Sequence, residues 1–168
     1  FIPEGPVVQV RGKTETDVLA DDDGGRIVYD GPMIVLVNRF SASASEIFAA
    51  AMRDYDRAVV VGDEFTHGKG TVQVLTDLTR YTPFLASVAF PAGELKLTSA
   101  KFYRVNGEST QLKGVKSDIA FPGFANIKDT GESSLRFALS WDAIEPARFE
   151  AFRGPAAVSR RLIAELKK

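Results

Sequence analysis

The segment from residue 33 to residue 62 constrains the fold more than any other part of the sequence. It opens with an apolar run at residues 33–37, which is short and lacks the alternation of a half-exposed strand. Good helix formers follow up to Asp54, and a second apolar run spans residues 58–62. The pattern predicts a strand-helix-strand unit with parallel strands and a helix that begins near Ser43. We expect the first strand at the centre of its sheet, covered on both faces.

Other segments predict further strands and one more helix. Residues 7–11 and 71–75 are β-branched runs, and residues 85–90 form another short apolar run. Residues 94–105 partly alternate apolar with polar side chains, which is typical of a half-exposed strand, and Asn106-Gly107 supplies the turn that closes it. Residues 155–168 carry apolar side chains at helical spacing. The sequence therefore predicts an α/β fold with a C-terminal packing helix.

Composition excludes several classes of protein. The chain has 168 residues, the size of one domain, and 45% of them are hydrophobic, which allows a sizeable core. A net charge of −1 gives no field that would recruit nucleic acid, so nucleic acid is not an expected partner. Zero cysteines exclude a disulfide framework and thiolate metal sites. No apolar run approaches the roughly 18 residues of a membrane span.

Ser43 is a candidate nucleophile because of its expected position. In strand-helix-strand units, ligands bind beyond the carboxyl ends of the strands, where Ser43 lies. A serine hydroxyl becomes a useful nucleophile when a base takes its proton and nearby donors stabilise the oxyanion. Backbone amides at a helix start are unpaired, and that of Ala44 is the nearest candidate donor. The structural alternative is that Ser43 and Glu46 form a capping box that only starts the helix.

Two residues are candidates for the base. His67 is the single histidine, and a Ser-His-Asp arrangement would have to use it. Lys69 lies between two glycines, and its amine could act as a base if desolvation or a neighbouring cation favours the neutral form. Gln73 would share a face with Lys69 and orient it if the strand extends back to Lys69. Each also fits a structural or solvated role, so the residues alone leave the choice open.

Several motifs in a fixed order resemble the catalytic core of C-terminal processing (tail-specific) peptidases. They are Asn38-Arg39-Phe40-Ser41-Ala42-Ser43-Ala44-Ser45-Glu46-Ile47, Asp54, Arg57-Ala58-Val59-Val60-Val61-Gly62 and Gly68-Lys69-Gly70-Thr71-Val72-Gln73. Weaker matches resemble the long periplasmic tail-specific proteases and comprise Lys101-Phe102-Tyr103-Arg104-Val105-Asn106-Gly107, Ser109-Thr110-Gln111 and Gly114-Val115 to Asp118-Ile119. The resemblance covers roughly residues 1–142.

The resemblance implies a role for each site residue. Ser43 would be the nucleophile, Lys69 the general base and Gln73 its support, in a serine endopeptidase that cleaves proteins near their C-termini through an acyl-enzyme. No metal or organic cofactor is implied. The implied fold is a crotonase-like (ClpP/crotonase-type) α/β core. The separation of Ser43 and Lys69 is 26 residues, one more than in the commonest members, which suggests one extra residue in the loop at 63–67.

The resemblance also implies a domain plan and a setting. We expect residues 1–142 to be a catalytic core that lacks its N-terminal part, and residues 143–168 to be a helical extension packed on that core. In the family, a PDZ domain and a glycine-rich segment with a second oxyanion amide precede this region. The isolated chain should therefore hydrolyse poorly. The expected partner is a protein or peptide with an accessible C-terminus, and the implied location is the periplasm.

The sequence leaves open the role of Asp54 and two alternatives to an active peptidase. Asp54 is interpreted as a structural group, with Arg57 as a suggested ionic partner. A noncatalytic peptide-binding module or an inactive protease fragment would share the same motifs. An acyl-CoA enzyme of the related fold is a further alternative, but the sequence has no basic or glycine-rich feature suited to the nucleotide.

Overall fold

A computed structural model describes residues 1–21, 24–81, 92–122, 130–152 and Glu165. The described residues form two sheets and one complete α-helix. The elements in chain order are β1 (Gly5–Arg11), β2 (Thr16–Asp21), β3 (Ile34–Val37), α1 (Ala44–Asp54), β4 (Val59–Gly62), β5 (Thr71–Asp77), a 3-10 turn (Leu78–Tyr81), β6 (Glu94–Tyr103), β7 (Ile119–Ala120) and a second 3-10 turn (Glu132–Ser134).

The strand-helix-strand unit expected at residues 33–62 is present. β3 and β4 pair in parallel, from Ile34 opposite Val59 to Val37 opposite Gly62, and α1 connects them. The alanines of α1 let the helix approach the sheet closely, and one core cluster joins α1 to the strands: Val37, Ala49, Ala50, Val60 and Val115. The prediction of parallel strands with a crossover helix is therefore confirmed.

The central strand of this sheet is β4 and not β3. The order is β3-β4-β7, so among the described residues β3 pairs only with β4. Ile34 and Leu36 on β3 are 59% and 74% exposed, whereas Val60 on β4 is fully buried. The expectation that β3 lies at the centre, covered on both faces, is wrong for this part of the chain. An apolar run indicates side chains suited to burial, but the number of neighbouring strands depends on contacts distant in sequence.

The second sheet is antiparallel, with the order β2-β1-β6-β5. The strand expected from residue 94 is confirmed as β6, but its exposure divides along its length and not between its faces: the first six residues are exposed, and Phe102 and Tyr103 are buried. α1 packs between the sheets and contacts both β1 and β4. A second core cluster, which includes Ile2, Tyr55 and Val105, fills the space beside the end of α1. This arrangement brings the start of α1 close to the chain that leads into β5.

The chain after residue 130 runs back across the core. The Ala147 amide donates to the Val105 carbonyl at 2.9 Å, and the Phe152 amide donates to the Tyr55 carbonyl at 2.8 Å. The strand expected at residues 85–90 lies outside the described residues. The helix expected at residues 155–168 also lies outside them, apart from Glu165, which is helical. The domain boundary at 142/143 stays a prediction. No helix in the described ranges is long and apolar enough to cross a bilayer.

Candidate active site

Ser43 sits at the N-cap of α1 in an unusual backbone conformation. Its φ is 59° and its ψ is −116°, and L residues rarely adopt a positive φ of this kind. The Ser43 carbonyl accepts hydrogen bonds from the amides of Glu46 at 2.9 Å and Ile47 at 3.0 Å, which hold the turn in place. Strained backbone that the surroundings enforce is concentrated at functional sites. The conformation therefore makes Ser43 a candidate on grounds the sequence did not supply.

Glu46 connects the Ser43 turn to the loop that carries Lys69. Its fully buried carboxylate accepts four hydrogen bonds, two on each oxygen. Oε1 accepts from the Thr66 hydroxyl at 2.5 Å and the Gly68 amide at 2.7 Å. Oε2 accepts from the amides of Ser43 at 2.8 Å and Lys69 at 3.0 Å. The nitrogens of Ser43 and Lys69 therefore lie no farther apart than the sum of those last two distances, 5.8 Å.

Glu46 is shielded from solvent by the surrounding protein. Burial raises the pKa of the Glu46 carboxyl above its usual value, and the four hydrogen bonds partly offset that rise. The capping box expected from Ser43 and Glu46 is present. The sequence did not show that the same carboxylate also holds residues 66–69. The capping-box pattern predicted the contact of Glu46 with Ser43 but not its contacts with Thr66, Gly68 and Lys69.

The two glycines beside Lys69 allow a close approach of two backbones. Gly68 has a φ of 92°, and a Cβ on it would lie 2.9 Å from the Leu112 carbonyl carbon. A Cβ on Gly70 would lie 2.7 Å from the backbone nitrogen of Gln111. Such distances are too short for a real side chain, so both positions need glycine. The glycines were expected to allow a close approach of the backbone to a neighbouring group. This is confirmed, and the neighbour is the segment at residues 109–112.

Ala44 is the first residue of α1 and is exposed. The hydrogen bonds of the described residues include none donated by its backbone amide. A helix N-terminus carries partial positive charge and free N–H groups. The position of Ala44 is compatible with a donor to an oxyanion at Ser43, and that role stays a prediction.

Gln73 occupies a different setting from the one expected. β5 begins at Thr71, so the strand does not extend back to Lys69, and a register shift interrupts it between Val72 and Gln73. The extra residue at that shift is Ser99 on β6, so β5 keeps its own alternation; Lys69 lies in the loop before β5, and the spacing argument that put Lys69 and Gln73 on one face therefore does not apply. The side chain of Gln73 is exposed. Its support of Lys69 stays a prediction that rests on the resemblance.

His67 contacts the C-terminal part of the chain. Its amide donates to the Ser41 carbonyl at 2.9 Å, and its carbonyl accepts from the Glu132 amide at 2.9 Å. The ring Nε2 lies 3.8 Å from Glu132 Oε2. These contacts give His67 a structural role between the Ser41 loop and the second 3-10 turn. The described contacts of its ring include none with Ser43.

Asp54 pairs with Arg104, and the suggested pairing with Arg57 is wrong. Two guanidinium nitrogens of Arg104 donate to the two carboxylate oxygens of Asp54, and both side chains are largely buried, at 10% and 7% exposed. Burial raises the pKa of Asp54, against the hydrogen bonds and charge of Arg104, which lower it. The guanidinium of Arg57 donates instead to three carbonyl oxygens, those of Phe1, Tyr29 and Gly31. Arg104 is fifty residues from Asp54, so no local pattern could have indicated the pair.

The sequence of this chain matches a known peptidase family, and this match guides the interpretation of the Ser43 and Lys69 geometry. Residues 1–121 match the sequence model of peptidase family S41. This chain belongs to peptidase family S41. Among its S41 relatives, the tail-specific protease of Haemophilus influenzae is 48% identical over 149 residues, which is 89% of this chain and 21% of that protein. The carboxy-terminal-processing protease of Bartonella bacilliformis is 38% identical over 120 residues, which is 71% of this chain and 25% of that protein.

A solved S41 structure is also similar. The photosystem II D1 C-terminal processing protease superposes with a TM-score of 0.58 at 29% identity, covering 71% of this chain and 28% of that one. The chain thus spans about a fifth to a quarter of the length of these curated relatives. Within the described ranges, no group of three or more histidine, aspartate or glutamate side chains is placed to hold a metal ion.

Proposed function

We propose that this S41 chain is the catalytic core of a serine endopeptidase that cleaves proteins near their C-termini, with Ser43 as nucleophile and Lys69 as general base. One observation carries the proposal: the amides of Ser43 and Lys69 donate to the same Glu46 oxygen. A residue pair 26 positions apart in sequence is thereby held at one point beyond the strand ends. Membership of the S41 family, with relatives named as tail-specific and carboxy-terminal-processing proteases, supports the same conclusion.

The proposed reaction is acyl transfer in two steps. Neutral Lys69 takes the hydroxyl proton as Ser43 Oγ attacks the peptide carbonyl, and the Ala44 amide donates to the resulting oxyanion. The tetrahedral intermediate collapses, the C–N bond breaks, and the leaving amine takes the proton from Lys69. Lys69 then activates a water molecule, which hydrolyses the acyl ester and releases Ser43. Gln73 would support Lys69. The core would follow the crotonase-like plan, and the reaction needs no metal or organic cofactor.

The proposal extends to the rest of a longer protein. The curated relatives are four to five times as long as the part that matches this chain. We propose that other parts of such a protein supply a PDZ domain that binds the substrate C-terminus and a second amide for the oxyanion. Residues 1–142 would then be an incomplete core, residues 143–168 an extension, and the location periplasmic. The 168-residue chain on its own should turn over tailed peptides far more slowly than the full-length protein.

The test uses the full-length protein with a fluorophosphonate probe and a peptide-ester burst assay. Ser43→Ala and Lys69→Ala should each lower the rate by at least about 10³-fold, because the nucleophile and its base act in the same step and the loss of either one removes most of the catalysis. Ser45→Ala is the matched control, since the Ser45 hydroxyl donates to the Ala42 carbonyl at 2.8 Å, three residues earlier in the chain. It should keep the wild-type rate within about threefold.

Two outcomes would change the proposal. Equal reactivity of the wild type, Ser43→Ala and Lys69→Ala would show that the chain is not a serine peptidase core, and a peptide-binding module would then explain the fold better. His67→Ala should retain most of the activity. A loss in His67→Ala as large as that in Lys69→Ala would move the base assignment to His67.

A further inference from the structure

The backbone on both sides of Lys69 is held by groups from two separate elements. In the preceding peptide unit, the Lys69 amide donates to Glu46 Oε2 at 3.0 Å, and the Gly68 carbonyl accepts from the Leu112 amide at 2.8 Å. Each end of this unit therefore has a fixed partner. Glu46 comes from α1, whereas Leu112 comes from the turn after β6.

The following peptide unit is held in the same way. The Lys69 carbonyl accepts from the Thr110 hydroxyl at 2.9 Å, and the Gly70 amide donates to Gln111 Oε1 at 2.8 Å. A residue has only two soft backbone dihedrals, so fixing the two peptide planes that flank a Cα fixes the direction of its side chain. The direction in which Lys69 leaves the backbone is thus set by α1 and by residues 110–112.

The partners of Gln111 determine which way its side-chain amide faces. Gln111 is fully buried. Its Nε2 donates to Glu132 Oε1 at 3.1 Å and to the Leu139 carbonyl at 3.0 Å, which leaves Oε1 facing the Gly70 amide. A reversed amide would set its NH₂ against an N–H donor and its oxygen against a carboxylate. Glu132 therefore keeps the acceptor of Gln111 turned toward the Lys69 loop.

The segment that contains Glu132 reaches the Lys69 loop at both ends. The Glu132 amide donates to the His67 carbonyl at 2.9 Å, on the near side of Lys69. Through Gln111, the Glu132 carboxylate acts on Gly70, on the far side. A chain segment more than sixty residues away in sequence thus holds the loop of the proposed base.

We propose that Gln111, oriented by Glu132, is a positioning residue that aims Lys69 at Ser43. The inference rests on the proposed function, since it concerns the same two residues. Gln111 is buried and acts through the Gly70 peptide, so its loss should slow acylation without weakening peptide binding. A small misplacement of a catalytic group can lower a rate by about a hundredfold, because the reacting atoms must meet in a narrow range of geometry.

The test compares two buried glutamines in the full-length protein. Gln111→Leu removes the acceptor at Gly70 at similar volume. Gln9→Leu is the matched control, because Gln9 is also buried and its Nε2 donates to the carbonyls of Arg104 at 3.1 Å and Glu145 at 3.2 Å, away from Lys69. Both should lower the Tm by similar amounts. Only Gln111→Leu should lower kcat, by about ten- to a hundredfold with KM within about twofold.

An exchanged pair gives a second measure that depends on orientation. Gln111→Glu keeps an acceptor at Gly70 but places two carboxylates side by side, so kcat should fall. Adding Glu132→Gln places an NH₂ donor against the second carboxylate oxygen at position 111, the one that does not face Gly70, and should recover at least half of the lost activity on a logarithmic scale. The pair decides the matter if Gln111→Leu does not fold.

The outcomes separate this inference from the proposed function. Turnover that depends on Ser43 and Lys69 but is equal in the wild type and Gln111→Leu would overturn the positioning role alone. An equal loss of kcat in Gln9→Leu, or no recovery in the exchanged pair, would overturn it as well. A wild-type protein whose turnover does not depend on Ser43 and Lys69 would overturn the proposed function, and the positioning role with it.

Discussion

Replacing Glu46 with glutamine tests the link between the two halves of the site. The carboxylate of Glu46 accepts hydrogen bonds at both oxygens, from Thr66 and Gly68 at Oε1 and from Ser43 and Lys69 at Oε2. Glu46→Gln keeps the size of the side chain but turns one oxygen into an NH₂ group, which can only donate. The amide must therefore face one of the two donor pairs.

The two orientations differ in cost. An NH₂ group that faces the amides of Ser43 and Lys69 leaves two buried donors without an acceptor, at about 1–3 kcal/mol each. An NH₂ group that faces Thr66 and Gly68 opposes only one fixed donor, the Gly68 amide, because the Thr66 hydroxyl, which already accepts from the Val115 amide, can rotate its proton away and accept from the NH₂ group as well. The second orientation is cheaper, so the free energy of unfolding should fall by about 1–3 kcal/mol. Relief of the buried charge, whose desolvation raises the Glu46 pKa, places the value toward the lower end.

The assay follows denaturant unfolding of the 168-residue chain by the fluorescence of Trp141, its single tryptophan. Glu108→Gln is the matched control, because the Glu108 side chain is about half exposed and pairs with Arg104 at the surface. It should change the free energy of unfolding by less than about 0.5 kcal/mol. In the full-length protein, Glu46→Gln should keep measurable labelling at Ser43, since the cheaper orientation preserves the shared acceptor. Glu46→Ala should lose it, because all four donors then lack a partner.

Two results would refute this reasoning. Unfolding of Glu46→Gln at the wild-type midpoint would show that the four hydrogen bonds do not hold the site. Equal labelling rates for Glu46→Ala and the wild type would show that the contact between the Ser43 turn and the Lys69 loop is not needed for reaction.

The remaining predictions concern ionic and phenolic groups of the core. Asp54→Ala should lower the free energy of unfolding by about 1–3 kcal/mol, because Arg104 loses its more buried carboxylate partner and keeps only the half-exposed Glu108. A double-mutant cycle should show coupling of Asp54 with Arg104 and none with Arg57. Burial raises the pKa of the Asp142 carboxyl, but hydrogen bonds from two cationic side chains outweigh it and hold that pKa below the usual value of 3.8. Its stabilisation is therefore present above pH 3.8 and lost as the pH falls through the folded pKa, and Asp142→Asn should remove that dependence in acid unfolding curves. Burial and the Asp142 charge raise the pKa of Tyr103 to about 12, so stability from this group should be lost between pH 10 and 12, and Tyr103→Phe should remove a phenolate step near pH 12 from a spectrophotometric titration.

The sequence predicted those features that depend on neighbouring residues. Apolar runs and helix formers gave the strand-helix-strand unit, and the spacing of Ser43 and Glu46 gave the start of α1 with its capping box. The partial alternation along residues 94–105 predicted a strand, which is present as β6, although its exposure divides along its length and not between its faces. Each of these signals lies within one element, where the period of the side chains follows from the backbone geometry.

The same local signals failed where a contact depended on distant chain. The apolar run of β3 did not reveal that β4 takes the central position, because strand order depends on how the segments pack. Spacing could not place Gln73 relative to Lys69, since β5 begins only at Thr71 and the alternation of a strand does not extend into the loop before it. The prediction that Asp54 pairs with Arg57 was wrong for a related reason, since its actual partner, Arg104, is far away in sequence.

For Ser43 and Lys69, the sequence by itself determined their identity as candidates, through motifs that resemble one family. It could not say what holds them together. The tertiary structure decided that, with a single buried carboxylate on α1 that accepts from both backbones, and with residues 110–112 and Glu132 behind the Lys69 loop. The physical reason is that a buried hydrogen-bonding group needs partners wherever the fold brings them, and those partners come from segments 20 to 41 residues away.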